Sequence, residues 1–273
     1  MRFPGGRAKA FTLSYDDGVE QDIRFTEIID KYSLKCTFNL NSGKISSEEV
    51  TYEKGQVHRI LSLSRVKALY GDSCHEVATH GYTHPWLEKL TPPGVVYEIM
   101  KDRETLEGIF GKIVRGHAYP FGTYSDSVVE GIRACGIAYA RTVKSTESFE
   151  LPTDWLRLNP TCHHSNPRLF ELIDKFKAYS GSAPKLFYLW GHTYEFEQCD
   201  NWDRAEEMSK AIGGCEDIWY ATNIEIYEYV KAYEALVFSA DMTKVHNPTA
   251  KEIFFLLNGV DRKIAPGETL VLE

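Results

Sequence analysis

The chain has 273 residues, 43% hydrophobic, 13% aromatic and 26% charged, which excludes a disordered polymer and is enough to bury a sizeable core. A formal net charge of -8 leaves no broad basic surface, which argues against nucleic acid or an anionic membrane as a main partner and favours neutral or cationic substrates. No run approaches the roughly 18 apolar residues of a spanning helix. No leader-like apolar stretch follows Met1, and the six cysteines form no C-x-x-C pair, so a cytoplasmic enzyme with reduced thiols is expected.

In chain order, short apolar or β-branched runs alternate with amphipathic stretches, the pattern of successive β-α units around a mostly parallel sheet. Strands are predicted over Ala10–Tyr15, Lys35–Leu40, His75–Thr79, Ile113–Tyr119, Ala138–Val143, Leu156–Thr161, Leu186–Trp190 and Ile218–Thr222. Apolar residues spaced by three and four predict helices over Asp22–Tyr32, Ser64–Tyr70, Val95–Phe110, Asp126–Cys135 and Pro167–Tyr179. Lys144–Asp154 carries neither pattern and reads as a loop. Beyond about Leu236, the run Ile253–Leu257, the turn signal Asn258-Gly259 and the segment Thr269–Leu272 after Pro266-Gly267 predict three or four further strands. The fold class expected is α/β: a distorted (β/α) barrel of about seven or eight strands over 1–235, with a small β extension over 236–273.

Parallel α/β folds place their chemistry at the carboxyl ends of the strands, and here those ends are rich in reactive groups. They carry Asp16-Asp17-Gly18, the segment His80 to His84, Tyr119-Pro120-Phe121-Gly122, Cys162-His163-His164 and Gly191-His192. Adjacent aspartates at a strand end point different ways, so one can hold a metal while the other acts as a base; an ordinary polar turn closed by Gly18 is the alternative. His80 and His84 can meet one ion if their segment is helical or a tight loop, and an aspartate added to them gives a two-histidine, one-carboxylate set with open positions. His163 and His164 read as hydrogen-bonded loop residues or, if functional, as substrate contacts. Cys162 lacks a setting that would stabilise a thiolate. Tyr188, Trp190, Trp219 and Tyr220 read as core.

Taken in order, Ser14-Tyr15-Asp16-Asp17-Gly18, His80-Gly81-Tyr82-Thr83-His84, Tyr119-Pro120-Phe121-Gly122, Asp154-Trp155 and Leu189-Trp190-Gly191-His192 resemble the motifs of the polysaccharide deacetylase family. This is the NodB-like domain shared with chitin and peptidoglycan deacetylases, and the resemblance spans about residues 8–232. It implies a distorted (β/α) barrel in which Asp17, His80 and His84 hold a divalent metal, zinc first, with cobalt, nickel or manganese as alternatives. It further implies that Asp16 is the base toward a metal-bound water and His192 the general acid. Phe121 and Tyr119 would serve the oxyanion and substrate, Trp155 an aromatic wall, and Asp154 would be the carboxylate that orients partners. The expected activity is removal of an acetyl group from an N- or O-acetylated sugar or a related amide, with a small acetylated carbohydrate as the partner. A carbohydrate-binding or regulatory protein on the same fold, or an amide hydrolase acting on a non-sugar compound, are the alternatives.

Two departures from the family pattern stand out. Ala118 occupies the position where the family usually has an arginine, and Arg115 lies three residues too early. Arg141, near the end of the next strand, is therefore expected within hydrogen-bond or one-water reach of Asp16, steadied by Asp154, with Arg115 remote; an Arg141 turned to solvent is the alternative. After His192, the run Thr193-Tyr194-Glu195-Phe196-Glu197 adds aromatic and acidic groups expected to shape a substrate pocket.

Overall fold

The computed structural model describes residues 1–272. Parallel strands β1 (Lys9–Asp16), β2 (Cys36–Leu40), β3 (Glu76–Thr79), β4 (Gly116–Ala118), β5 (Tyr139–Arg141), β6 (Cys162–His163), β7 (Lys185–Gly191) and β8 (Ile218–Tyr220) form one curled sheet in the order β5-β4-β3-β2-β1-β7-β6. β8 pairs with residues Lys9 to Phe11 at the start of β1, on the edge that β2 takes over from Leu13 onward. Helices α1 (Gln21–Lys31), α2 (Leu63–Tyr70), α3 (Pro92–Phe110), α4 (Asp126–Ala134), α5 (Leu169–Lys177), α6 (Tyr194–Gln198), α7 (Trp202–Ile212) and α8 (Asn223–Glu234) connect them. The sheet with its covering helices is a distorted (β/α) barrel, as expected for the fold class.

The predicted strand Leu156–Thr161 is not formed. Asp154 accepts a hydrogen bond from Leu156 N at 3.0 Å and binds Arg157 at 2.6 Å, which turns Trp155–Arg157 into a single 3-10 turn. Pairing passes to Cys162–His163 on β7, and the gap beside β5 is bridged only at Arg141–Leu158. Strand β4 is also shorter than expected, because Ile113, read as its first residue, is 79% exposed and lies outside it.

Successive strand residues face opposite sides of the sheet, and this alternation divides the core. Phe11, Leu13 and Tyr15 of β1 join Cys36, Phe38 and Leu40 of β2 and Phe187 and Leu189 of β7 in the core under the helices. The other face, inside the barrel, is hydrogen-bonded. Thr12 and Tyr188 meet Asn223 at 2.9 and 2.7 Å, Ser14 meets Asn39 at 2.8 Å, and Glu76 meets Tyr139 and Thr37 at 2.7 and 2.8 Å. Gly116 is required here, since a Cβ would collide with the Tyr139 hydroxyl.

After α8 come β9 (Val237–Phe238), β10 (Lys244–His246), β11 (Ile253–Leu257), β12 (Val260–Ile264) and β13 (Thr269–Val271), five short antiparallel strands where three or four were expected. Val245, Ile253, Phe255 and Ile264 pack with Phe3, Ala10, Leu186 and Tyr229, so the tail covers the amino-terminal ends of the strands, away from the reactive rim. No helix among the described residues is long and apolar enough to cross a membrane. Because Ile253 is fully buried in this shared core, Ile253→Ala is expected to cost about 2–5 kcal/mol in urea unfolding.

Candidate active site

Inward alternation along β1 sends Asp16 to the same face as Ser14. The next residue, Asp17, donates its N–H to Asn39 O at 2.9 Å and bends away with φ 82. The left-handed region is disfavoured for side chains other than glycine, although aspartate tolerates it better than most, and this bend aims the two carboxylates at different neighbours. Asp16 is 2% exposed; its Oδ1 accepts from Asn39 Nδ2 at 2.8 Å and its Oδ2 pairs with the Arg141 guanidinium. Burial alone would raise its pKa, but Arg141, then His80 and His192, outweigh it and hold the carboxyl below its ordinary value.

Arg141 reaches Asp16 because it is the register partner of Ala118 on the neighbouring strand. The guanidinium thus comes from β5 instead of the family position on β4, across a side chain too small to obstruct it. Its Cζ lies 4.5 Å from the centroid of the Trp190 ring, and Nη1 donates to Thr142 O at 3.4 Å. The expected support from Asp154 is absent: that carboxylate is committed to Arg157 and to the turn it caps. Arg115 lies over Tyr227 at 5.8 Å, far from the aspartates.

His80 and His84 meet through a tight loop, the second of the two geometries considered, with His84 itself left-handed at φ 61. His80 Nδ1 lies 2.8 Å from Ala118 O. A carbonyl only accepts, so Nδ1 carries the proton and the Nε2 lone pair is free to bind a cation. That Nε2 lies 3.8 Å from Asp17 Oδ1, and His84 Nε2 lies 3.9 Å from the same oxygen. Burial lowers the His80 pKa and, with His80 beside it, pushes His84 down to about 4, so both imidazoles are neutral at pH 7. Asp17 is ionised: burial opposes this, but the His58 hydrogen bond and the nearby histidines hold its pKa well below the usual carboxylate range. One ionised oxygen and two neutral nitrogens converging within 4.8 Å suit zinc and similar divalent cations.

The loop is clamped by residues to which the sequence reading assigned no role. Asp102 Oδ2 accepts from His80 N at 2.9 Å, Glu98 accepts from Thr83 N and Oγ1 at 2.8 and 2.9 Å, and Asn41 Nδ2 donates to Gly81 O at 2.9 Å. The available signal was that Glu98 and Asp102, four apart on α3, fall on the same buried face as Val95, Ile99 and Leu106. Burial pushes the Asp102 carboxyl up to about 7.

His192 faces Asp16 Oδ2 through Nε2 at 3.8 Å and Glu195 Oε1 through Nδ1 at 3.4 Å. Glu195 Oε2 also lies 3.0 and 3.1 Å from the Nε2 atoms of His163 and His164. Ser165 N donates to His163 Nδ1 at 3.2 Å, so His163 Nε2 bears the proton and donates to Glu195. This trio is accordingly a hydrogen-bonded anchor for a carboxylate, not a second cation site. His164 is 3% exposed behind Gly191, where a Cβ would collide with its ring, which removes it from substrate contact. Burial disfavours a charged His192, yet Glu195, Asp16 and Asp17 outweigh it and raise its pKa. The carboxylate beside this imidazole is that of Glu195, whereas Asp154, expected as the orienting carboxylate, binds Arg157 and the Leu156 N–H.

These groups open into a cavity of about 500 Å³ walled by Trp190, Tyr194, Phe121 and Val143. The expected wall residue Trp155 is elsewhere: 8% exposed, it packs edge-on against Tyr227 at 5.1 Å under the 3-10 turn. Trp190, read as core, takes the wall position because it shares its strand face with Tyr188 and its ring lies against Arg141. Phe121, left-handed at φ 58, stacks on Trp86 at 4.0 Å and lies 4.4 Å from His84. Tyr119 borders the cavity, but its hydroxyl points away to Leu156 O at 2.7 Å.

Comparison with known proteins agrees with this architecture. A family model described as polysaccharide deacetylase matches residues 4–140. A Mycobacterium smegmatis protein assigned as a polysaccharide deacetylase superposes with TM-score 0.58 at 15% identity, over 86% of this chain and 94% of that one. The family 4 carbohydrate esterase of Streptomyces lividans, solved in complex with acetate, gives 0.53 at 13% identity over 78% and 92%. At these identities the likeness concerns the fold. The uncharacterized protein YlxY of Bacillus subtilis is 26% identical over 121 residues, 44% of this chain, and the match spans 33% of that relative's length.

The Arg141–Asp16 pair generates a pH-dependent prediction. Arg141→Ala leaves a buried carboxylate unpaired and should cost about 3–5 kcal/mol at pH 7. In the wild type the lowered Asp16 pKa stabilises the fold above the unfolded-state value and is lost as acid protonates the group. In the variant burial dominates and raises that pKa, so the stability deficit should shrink as pH falls toward 4. Denaturant melts of both proteins at pH 7 and 4.5 check this; a deficit independent of pH would contradict it.

Proposed function

Because the chain belongs to the polysaccharide deacetylase family, we propose that the rim site hydrolyses the acetyl group of an acetylated carbohydrate, N-acetylated sugars first, with a divalent metal, zinc first, held by Asp17, His80 and His84. The observation that carries this is the division of the two adjacent carboxylates. Asp17 Oδ1 faces both imidazoles, whereas Asp16 Oδ2, paired with Arg141, faces His192 at 3.8 Å and His80 alone of the two loop histidines, at 3.7 Å. When bound, the metal supplies Lewis acidity that polarises an acyl oxygen and lowers the pKa of water.

Asp16 accepts the proton of the attacking water at Oδ2. Held ionised by Arg141, it is always in the basic form at neutral pH, although its lowered pKa makes it a modest acceptor on its own. Phe121 lines the cavity, and its backbone N–H is the donor assigned to the developing oxyanion. His192, whose pKa is raised by Glu195 and the aspartates, holds a proton at Nε2 and delivers it to the departing amine as the C–N bond breaks. Acetate and the free amine leave. Trp190, Val143 and Tyr194 present the apolar surface that suits an acetyl methyl and a sugar face.

Acetate release should be measured from a panel of N- and O-acetylated sugars before and after chelation. Activity that disappears with chelator and returns with zinc is expected. Acyl release confined to non-sugar amides would move the substrate class, and no release from any compound would overturn hydrolysis. His80→Ala and His84→Ala should each lose most bound metal while keeping the circular dichroism spectrum of the wild type. By contrast, Asp16→Asn and His192→Ala should retain metal and lose about a hundredfold or more in turnover, the usual worth of general acid or base catalysis.

A further inference from the structure

The segment between β2 and α2 carries His58, to which neither the family motifs nor the mechanism above gives a role. Its Nε2 lies 3.1 Å from Asp17 Oδ2, and its ring packs edge-on against Tyr194 at 5.1 Å. The two oxygens of Asp17 are therefore divided: Oδ2 is taken by His58, and Oδ1 faces His80 and His84. A carboxylate oxygen only accepts, so His58 Nε2 bears the proton of this hydrogen bond.

The chain on either side of His58 is tied down. Gln21 Nε2 donates to Val57 O at 2.7 Å, Glu20 N to Arg59 O at 2.7 Å, and Leu61 N to Gly18 O at 2.9 Å. The Arg59 side chain binds Glu20 at 2.6 Å and Glu197, on α6, at 2.8 Å. Residues 57–61 thus form a strap across the turn that carries both aspartates, and its anchors are the β1-α1 turn itself and the helix that bears Glu195.

We propose that His58 is a positioning residue for the metal-binding carboxylate: by donating from Nε2 to Asp17 Oδ2 it leaves Oδ1 as the oxygen presented to the cation, in the geometry fixed by the strap. The inference rests on the metal reading of Asp17, His80 and His84. Partners that orient a ligand in this way contribute about 10–100-fold to metal affinity when removed.

The test is Zn²⁺ affinity measured by competition with a chromophoric chelator, for the wild type, His58→Ala and His58→Gln, with folding followed by circular dichroism. Glutamine can donate a similar hydrogen bond but is a poor zinc ligand. The expected result is a 10–100-fold weaker dissociation constant in His58→Ala, with most of the loss recovered in His58→Gln. The Co²⁺ absorption spectrum should also shift in His58→Ala and return toward the wild type in His58→Gln. A His58→Ala affinity within twofold of the wild type overturns the proposal while leaving the metal reading intact. Equal loss in both variants overturns it too, by assigning the effect to direct ligation or to the strap. A wild-type chain that binds neither ion overturns the metal reading and this inference together.

Discussion

A carboxylate that is 2% exposed and ionised inside a barrel is tenable only with a cation held against it, and the Arg141–Asp16 pair meets that condition. Much of the interior follows from it. Arg141, itself 1% exposed, needs its own surroundings, and it finds the Trp190 ring at 4.5 Å and a carbonyl of Thr142. Asp16 needs its second oxygen satisfied, and Asn39 reaches it from the adjacent strand while also binding Ser14. Apolar packing lies to either side of this polar layer: Phe11, Leu13, Phe38 and Phe187 under the helices, and Ala10, Leu186 and Tyr188 toward the amino-terminal ends of the strands.

The same pair shapes the rim. With Asp16 committed inward, Asp17 is free to turn outward, at the expense of a left-handed backbone. His84 and Phe121 share that conformation, so three unfavourable backbone positions gather around one cavity, each costing on the order of 1 kcal/mol or more. Such geometry persists only where surrounding contacts over-determine it. Here Asp102, Glu98 and Asn41 grip the histidine loop from α3 and the end of β2, and the strap of residues 57–61 grips the aspartate turn.

Each of these groups also has a neighbour held against it: Arg141 beside Asp16, His58 beside Asp17 and the Ala118 carbonyl beside His80, all from distant parts of the chain, and Glu195 beside His192 from three residues further on. Glu195 is in turn anchored by His163 and His164. Contacts of this kind restrict side-chain rotamers at the rim, the arrangement that preorganisation of a site requires.

The reactive rim was legible from the chain alone because its logic is local. Strand periodicity and the position of Asp16, Asp17, His80, His84 and His192 just after strand runs suffice to place them at one end of a parallel sheet. Arg141 was legible for the same reason, since alternation along β5 sets its face. Shared placement on the rim suggested Arg141 for Asp16, but tertiary structure alone supplied the other partners and the direct contact. His58 meets Asp17 across 41 residues and Arg141 meets Asp16 across 125, and no periodic pattern records such distances. It also exchanged the two tryptophans: a side-chain cap on Asp154 wound Trp155 into a turn and into the lower core, while the guanidinium behind Trp190 brought that ring to the cavity wall. Local propensity specifies where a side chain leaves the backbone; which charge, ring or hydrogen-bond donor it then meets depends on the path of loops whose ends are tied by other residues' side chains.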